Sequence, residues 1–191
     1  MSMKDSRSIA LALALAVLAA SPAWAAPDLS ALFGPRVKSN PHFKAPLLTG
    51  DFDGDGMLDA VYLVTVSPAS AANRLAPDVT VVDKVFGSAV LGARGEKTVL
   101  AIVQQGGKRK FLLTGAPLDT DGLGYFDTPI WTTPQVPLTL ARRGSKVFRR
   151  FKAQERRIVN DVLVVGTEAG IDTALYWNGK TYVLFSPNEE P

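Results

Sequence analysis

Hydrophobic positions along this chain fall into short runs separated by stretches rich in Gly, Pro, Asp and Ser. "AVYLVTV" (60–66), "VTVV" (79–82), "KTVLAIV" (97–103), "FLLTG" (111–115), "VPLTLA" (136–141) and "DVLVV" (161–165) are dense in β-branched or aliphatic side chains and too short for stable helices. Each predicts a strand, and a further short strand is expected at about residues 46–49. Near the C-terminus, Asn178-Gly179 interrupts "TALYWNGKTYVLF" and suits a two-residue type I′ turn. That turn pairs Trp177 with Lys180 and Leu175 with Tyr182. Leu175, Trp177, Tyr182 and Leu184 then share one face, and Ala174, Tyr176, Val183 and Phe185 the other. Both faces are apolar, so the hairpin is expected to be covered on both sides.

Helical periodicity is confined to two places. "DLSALF" (28–33) predicts one turn capped by Asp28, with Pro35 limiting its extension. "SKVFRRFKAQERRI" (145–158) predicts a short helix with Val147, Phe148, Phe151 and Ile158 roughly on one side. Residues 67–78 read as a connection with room for a helical turn, and 115–135 as a long irregular connection. The expected fold class is therefore mainly β: an antiparallel sheet domain with one or two short helices, not a closed propeller.

The first 25 residues stand apart. Lys4 and Arg7 precede a twelve-residue apolar run, Ile9–Ala20, and Ala23-Trp24-Ala25 follows it. This is the layout of a secretory signal peptide cleaved after Ala25, too short to span a bilayer as a helix. No twin arginine precedes the run and no cysteine follows it, which argues against twin-arginine export and a bacterial lipid anchor. Residues 26–191 are then expected to form a single β-rich domain, periplasmic or secreted by a bacterium. Losing the leader lowers the formal charge from +3 to +2, a balance that does not call for a polyanionic partner such as nucleic acid. There is no cysteine at all, so an exported domain must be held by packing, or by packing plus a metal.

"TGDFDGDGMLDAVYLV" (49–64) supplies a metal candidate. Asp51, Asp53, Asp55 and Asp59 crowd together with no lysine or arginine among them. Carboxylates two residues apart on a curled loop can converge, and their mutual repulsion opposes folding until a cation neutralises it. Hard oxygen donors suit Ca2+, which takes six to eight of them in flexible geometry. With Asp51 as position 1, carboxylates stand at 1, 3, 5 and 9, Gly56 supplies a tight turn at 6, and Met57 offers its carbonyl at 7. Position 12 is Tyr62 inside a predicted strand, where a helix–loop–helix calcium site would place a glutamate.

The pattern D-x-D-x-D-G-x-x-D running into a strand resembles the calcium loop of FG-GAP and VCBS-type repeats, as in integrin β-propeller blades. The match lies at Asp51, Asp53, Asp55, Gly56 and Asp59 and covers about twenty residues. What the resemblance implies is a structural Ca2+ that ties neighbouring strands together. One good loop in a chain of this length does not make a propeller, which needs at least four blades.

Other chemistry is sparse. His42 is the single histidine, in a Ser-Asn-Pro-His-Phe loop, and without a second His or any Cys there is no material for a zinc site or a histidine-dependent nucleophile. "LDTDGLGYFD" (118–127) is a weaker acidic loop, and Glu168 with Asp172 a carboxylate pair more simply read as loop. Residues 142–157 carry eight basic side chains against Glu155 alone. That segment suits an envelope protein or an anionic cell-surface polymer, set against a solvated helix face packed through Phe148 and Phe151. The function expected is an exported calcium-binding module for binding or interaction, with no catalytic residue set. An exported Ca2+-dependent hydrolase and an envelope inhibitor or immunity-type protein are the alternatives.

Overall fold

The computed structural model describes residues 27–43, 45–70, 72–83, 85, 95–115, 118, 138–166 and 172–187. The leader, nearly all of the weaker acidic loop and Glu168 lie outside the described residues. Among those described, ten strands form two largely antiparallel sheets, accompanied by two α-helices, with no closed barrel or propeller. The mainly β expectation holds.

In the first sheet β3 (Asp59–Val66) and β5 (Lys97–Gln104) form the centre, paired from Ala60↔Val103 to Val66↔Lys97. β1 (Val37–Ser39) and β2 (Leu48–Gly50) lie end to end along the other edge of β3, while β6 (Arg109–Leu113) pairs with β5 and β4 (Val79–Val82) closes the far edge. β4 runs parallel to β6, the one exception to the antiparallel rule. The second sheet is a meander in the order β10-β9-β8-β7, built from β7 (Leu138–Ala141), β8 (Val162–Val165), β9 (Thr173–Trp177) and β10 (Tyr182–Phe185).

The layers explain why the strands lack a polar face. Successive side chains alternate across a sheet, so Val61 and Leu63 of β3 enter the core between the sheets, where they join Leu100, Ile102, Phe111, Leu163, Leu175, Trp177 and Tyr182. Ala60, Tyr62, Val64 and Val66 point to the opposite face, under Leu29 and Phe33 of α1 (Leu29–Phe33). The second sheet repeats the scheme, with Val162, Val164, Ala174 and Tyr176 buried beneath Phe148 and Phe151 of α2 (Lys146–Gln154). Both helix caps are those the composition implies: Asp28 accepts from the N–H groups of Ser30 and Ala31, and Ser145 Oγ from that of Phe148.

Three expectations are adjusted, and one strand is new. Val147 is 40% exposed and does not join Phe148 and Phe151 on the buried face of α2. Residues 67–78 contain no helix among those described, only an isolated bridge between Ser70 and Asn73. β1 was not apparent in the apolar pattern because only Val37 of its three residues is buried. In the C-terminal hairpin Trp177 pairs with Tyr182 and Leu175 with Leu184, two residues away from the expected register. Asn178 explains that shift: its Oδ1 accepts from the N–H groups of both Lys180 and Thr181 at 2.9 Å, and its own N–H reaches Thr181 O at 3.1 Å. The side chain thus builds a four-residue loop in which Gly179 alone takes positive φ, where type I′ would need it at both central residues. A two-residue shift preserves parity, so the facial assignment survives intact.

Candidate metal centre

The acidic stretch is the loop between β2 and β3, whose ends are held together by the Gly50↔Asp59 pair. Phe52 anchors it, fully buried in the core between the sheets. With this ring pointing inward, the alternate positions on either side turn back toward one another. Asp51, Asp53 and Asp59 each bring a carboxylate oxygen into a group whose members lie within 4.8 Å of one another. Two oxygens on opposite sides of a Ca2+ at 2.3–2.6 Å are at most about 5 Å apart, so the three can share one ion.

Backbone amides hold the loop in this shape. Asp51 Oδ1 accepts from Gly54 N at 2.8 Å and its Oδ2 from Gly56 N at 3.2 Å. Asp53 Oδ1 accepts from Asp55 N at 3.2 Å, and Asp55 Oδ1 from Met57 N at 2.8 Å. Asp59 Oδ2 accepts from Phe52 N at 2.9 Å. Gly54 and Gly56 both need positive φ, +82° and +83°, and Gly54 is crowded as well: a Cβ there would sit 2.6 Å from Asn160 Oδ1.

The electrostatics are unbalanced. Asp59 is fully buried, and its Oδ1 has no hydrogen-bond partner. Burial, with the nearby charges of Asp53 and Asp55 adding to it, pushes its carboxyl up to about 7, against the help of the backbone N–H groups of Phe52 and Gln105. Asp53 moves in the same direction, chiefly by burial, although Asp55 N–H and Gln105 offset part of it. Gln105 Nε2 donates to Asp53 Oδ2 at 3.3 Å, and Arg109 Nη1 lies 3.9 Å from the same oxygen, at the outer limit of an ion pair. Next to this group Tyr182 is raised well above the ordinary phenol range, first by burial and then by the charges of Asp59 and Asp53. An orphaned, buried carboxylate oxygen beside two further carboxylates fits a hard divalent cation, and the all-oxygen donor set matches Ca2+ better than soft or imidazole-seeking metals.

Of the five residues expected to ligate, Asp51, Asp53 and Asp59 come together. Asp55 is exposed, and its Oδ1 accepts from the Met57 N–H; the Met57 residue is 48% exposed. His42 is exposed, its N–H bonded to Asn40 Oδ1, and Asp172 is paired with Arg150 at 2.8 Å. Residues that support the site from other elements escaped the sequence reading: Gln105, Arg109 and Tyr182 around Asp53 and Asp59, and Asn160 and Asp161 behind the loop. Nothing local in their segments marks them, since they are distant in sequence: Gln105 and Arg109 reach the loop through strand pairing within the first sheet, and Tyr182, Asn160 and Asp161 through the stacking of the second on it.

In comparison with known proteins, no family model matches the chain, and no curated protein or solved structure matches it. Among the described residues no helix is long and apolar enough to cross a membrane. What fold and site together define is a two-sheet β protein with a group of three carboxylates, Asp51, Asp53 and Asp59, at the loop between β2 and β3.

Proposed function

We propose that this chain is an exported calcium-binding module whose ion is structural, held by Asp51, Asp53 and Asp59 with the Met57 carbonyl and Asp55 available to complete the shell. The observation that carries the reading is Asp59, a buried carboxylate whose Oδ1 has no hydrogen-bond partner and which comes together with Asp51 and Asp53. Leaving such a group unmatched costs folding free energy, which a bound cation would offset. The loop also joins two strands of the first sheet and docks on the second sheet through Asp161. Its order therefore bears on how the two sheets hold together, which supports a structural role over a catalytic one. The proposed destination, outside the cytoplasm, rests on the leader-like residues 1–25 and suits a calcium site, since the ion is abundant there.

Thermal melting in chelator and in Ca2+ tests the proposal. At a hundred times the dissociation constant, binding adds about 2.7 kcal/mol, or roughly 5–10 °C in melting temperature for a chain of this size. Unchanged melting across a calcium titration would remove the site. If Asp59→Asn leaves the protein folded and removes the calcium response, the reading stands. If a hydrolytic activity depends on the ion while fold and melting do not, the catalytic alternative takes its place.

A further inference from the structure

A second site lies at the same end of the molecule, between the start of β6 and the β9–β10 loop. It is a groove of about 390 Å³ whose walls carry Lys108, Arg109, Lys110 and Lys180 and whose floor includes Phe111 and Trp177. Only Asp78 among its lining residues is acidic, and it is engaged by Lys110 Nζ at 2.5 Å, which neutralises a lysine whose side chain is only 9% exposed. Among the described residues, neither Lys108 nor Lys180 has a carboxylate partner. Arg109 is fixed in a different way: its guanidinium stands 5.8 Å from the centre of the Trp177 ring and 3.9 Å from Asp53. Three cationic heads thus line one small concavity with little internal compensation.

The floor is rigid. Phe111 and Trp177 are both buried, their ring centres 5.2 Å apart, and Tyr182 backs them at 5.4 Å from each. A groove whose aromatic base is locked by the core between the sheets needs little reorganisation to receive a ligand. Its volume falls within the range of small-molecule sites, roughly 300–1,000 Å³. Charge-assisted hydrogen bonds from Arg and Lys to an oxyanion are among the strongest polar contacts proteins make.

We propose that this groove binds a small ligand bearing a phosphate or carboxylate group, with Lys108, Arg109 and Lys180 contacting the oxyanion and the edges of Phe111 and Trp177 supporting the body of the ligand. This site is distinct from the basic segment 142–157, and it borders the acidic loop at Arg109, 3.9 Å from Asp53.

The test is calorimetric titration of the purified protein, once as isolated and once freed of divalent ions on a chelating resin, with inorganic phosphate, glucose 6-phosphate and glucuronate. Vesicles of equimolar phosphatidylglycerol and phosphatidylcholine form a separate arm. Saturable binding is expected for at least one soluble probe. Lys108→Ser with Lys180→Ser should weaken it roughly a hundredfold, the loss of two charge-assisted contacts. Lys146→Ser with Arg149→Ser, which removes the same charge from α2, should leave it unchanged. Both lysines of the first pair are exposed, and an unaltered melting temperature confirms that the variant is folded. The proposal falls if no soluble probe saturates or if both double variants lose binding equally. Binding to vesicles alone, lost in the groove variant, would also overturn it and assign the groove to a lipid headgroup.

Discussion

Asp51 and Asp161 are tied in both directions: Asp51 N donates to Asp161 Oδ2 at 3.1 Å, and Asp161 N donates to Asp51 O at 3.1 Å. The other oxygen of Asp161 accepts from Arg143 N at 2.7 Å. One buried carboxylate thus fastens the acidic loop of the first sheet to both the entry of α2 and the start of β8 in the second. It is not a member of the carboxylate group at the candidate site, yet it sets the backbone from which Asp51 projects.

Replacing Asp161 with Ala should therefore act at two levels. Two backbone N–H groups lose a charged acceptor, which predicts a loss of about 2–4 kcal/mol in urea denaturation. If the loop holds calcium, affinity should also fall although no ligand has been removed. A variant that is destabilised but binds calcium as before would separate sheet docking from ion binding.

Asp59 predicts an unusual pH dependence. Its folded-state carboxyl is raised to about 7 from an ordinary value of 3.8. The folded chain therefore binds a proton there that the unfolded chain has released between those values. Within that window stability rises as pH falls, by up to about 4 kcal/mol for this group, and Asp53 contributes in the same direction. Metal-free protein should melt higher at pH 5 than at pH 8. Asp59→Asn should flatten that profile. With calcium present, protons compete for the same oxygens, so the order should weaken or reverse. Melting curves across this range, with chelator and with calcium, decide the matter.

Two glycines in the loop should differ in cost. Gly56→Ala meets nothing within 4 Å, so only its positive φ is penalised, by roughly 1–2 kcal/mol. Gly54→Ala adds a clash with the Asn160 side chain at 2.6 Å and should be the more damaging. Adding Asn160→Ala should recover the difference but not the backbone term. Chemical denaturation of the two single variants and the double variant reads this directly.

The hairpin register depends on one amide. Asn178→Ala removes an acceptor shared by Lys180 N and Thr181 N and should cost about 1 kcal/mol. Asn178→Gly permits the two-residue turn. A change in cross-strand NMR contacts from the Trp177–Tyr182 pair to Trp177–Lys180 would show that the side chain of Asn178 selects the native register.

Local pattern was enough for most of the elements. Runs such as 60–66 and 97–103 specify strands because β-branched and apolar side chains favour a pleated, buried backbone, and Asp28 and Ser145 announce helix starts because a short side-chain oxygen satisfies free amides there. The convergence of Asp51, Asp53 and Asp59 was legible too, since alternate spacing and a turn glycine act within nine residues. Tertiary structure decided the rest. It buried Asp59 with no hydrogen-bond partner for Oδ1, and brought Asp161, Gln105, Arg109 and Tyr182 to the site from strands and loops far away in sequence. Periodicity reports which face of an element is apolar. Which face meets which, and what charge is trapped between them, is fixed only when the sheets stack.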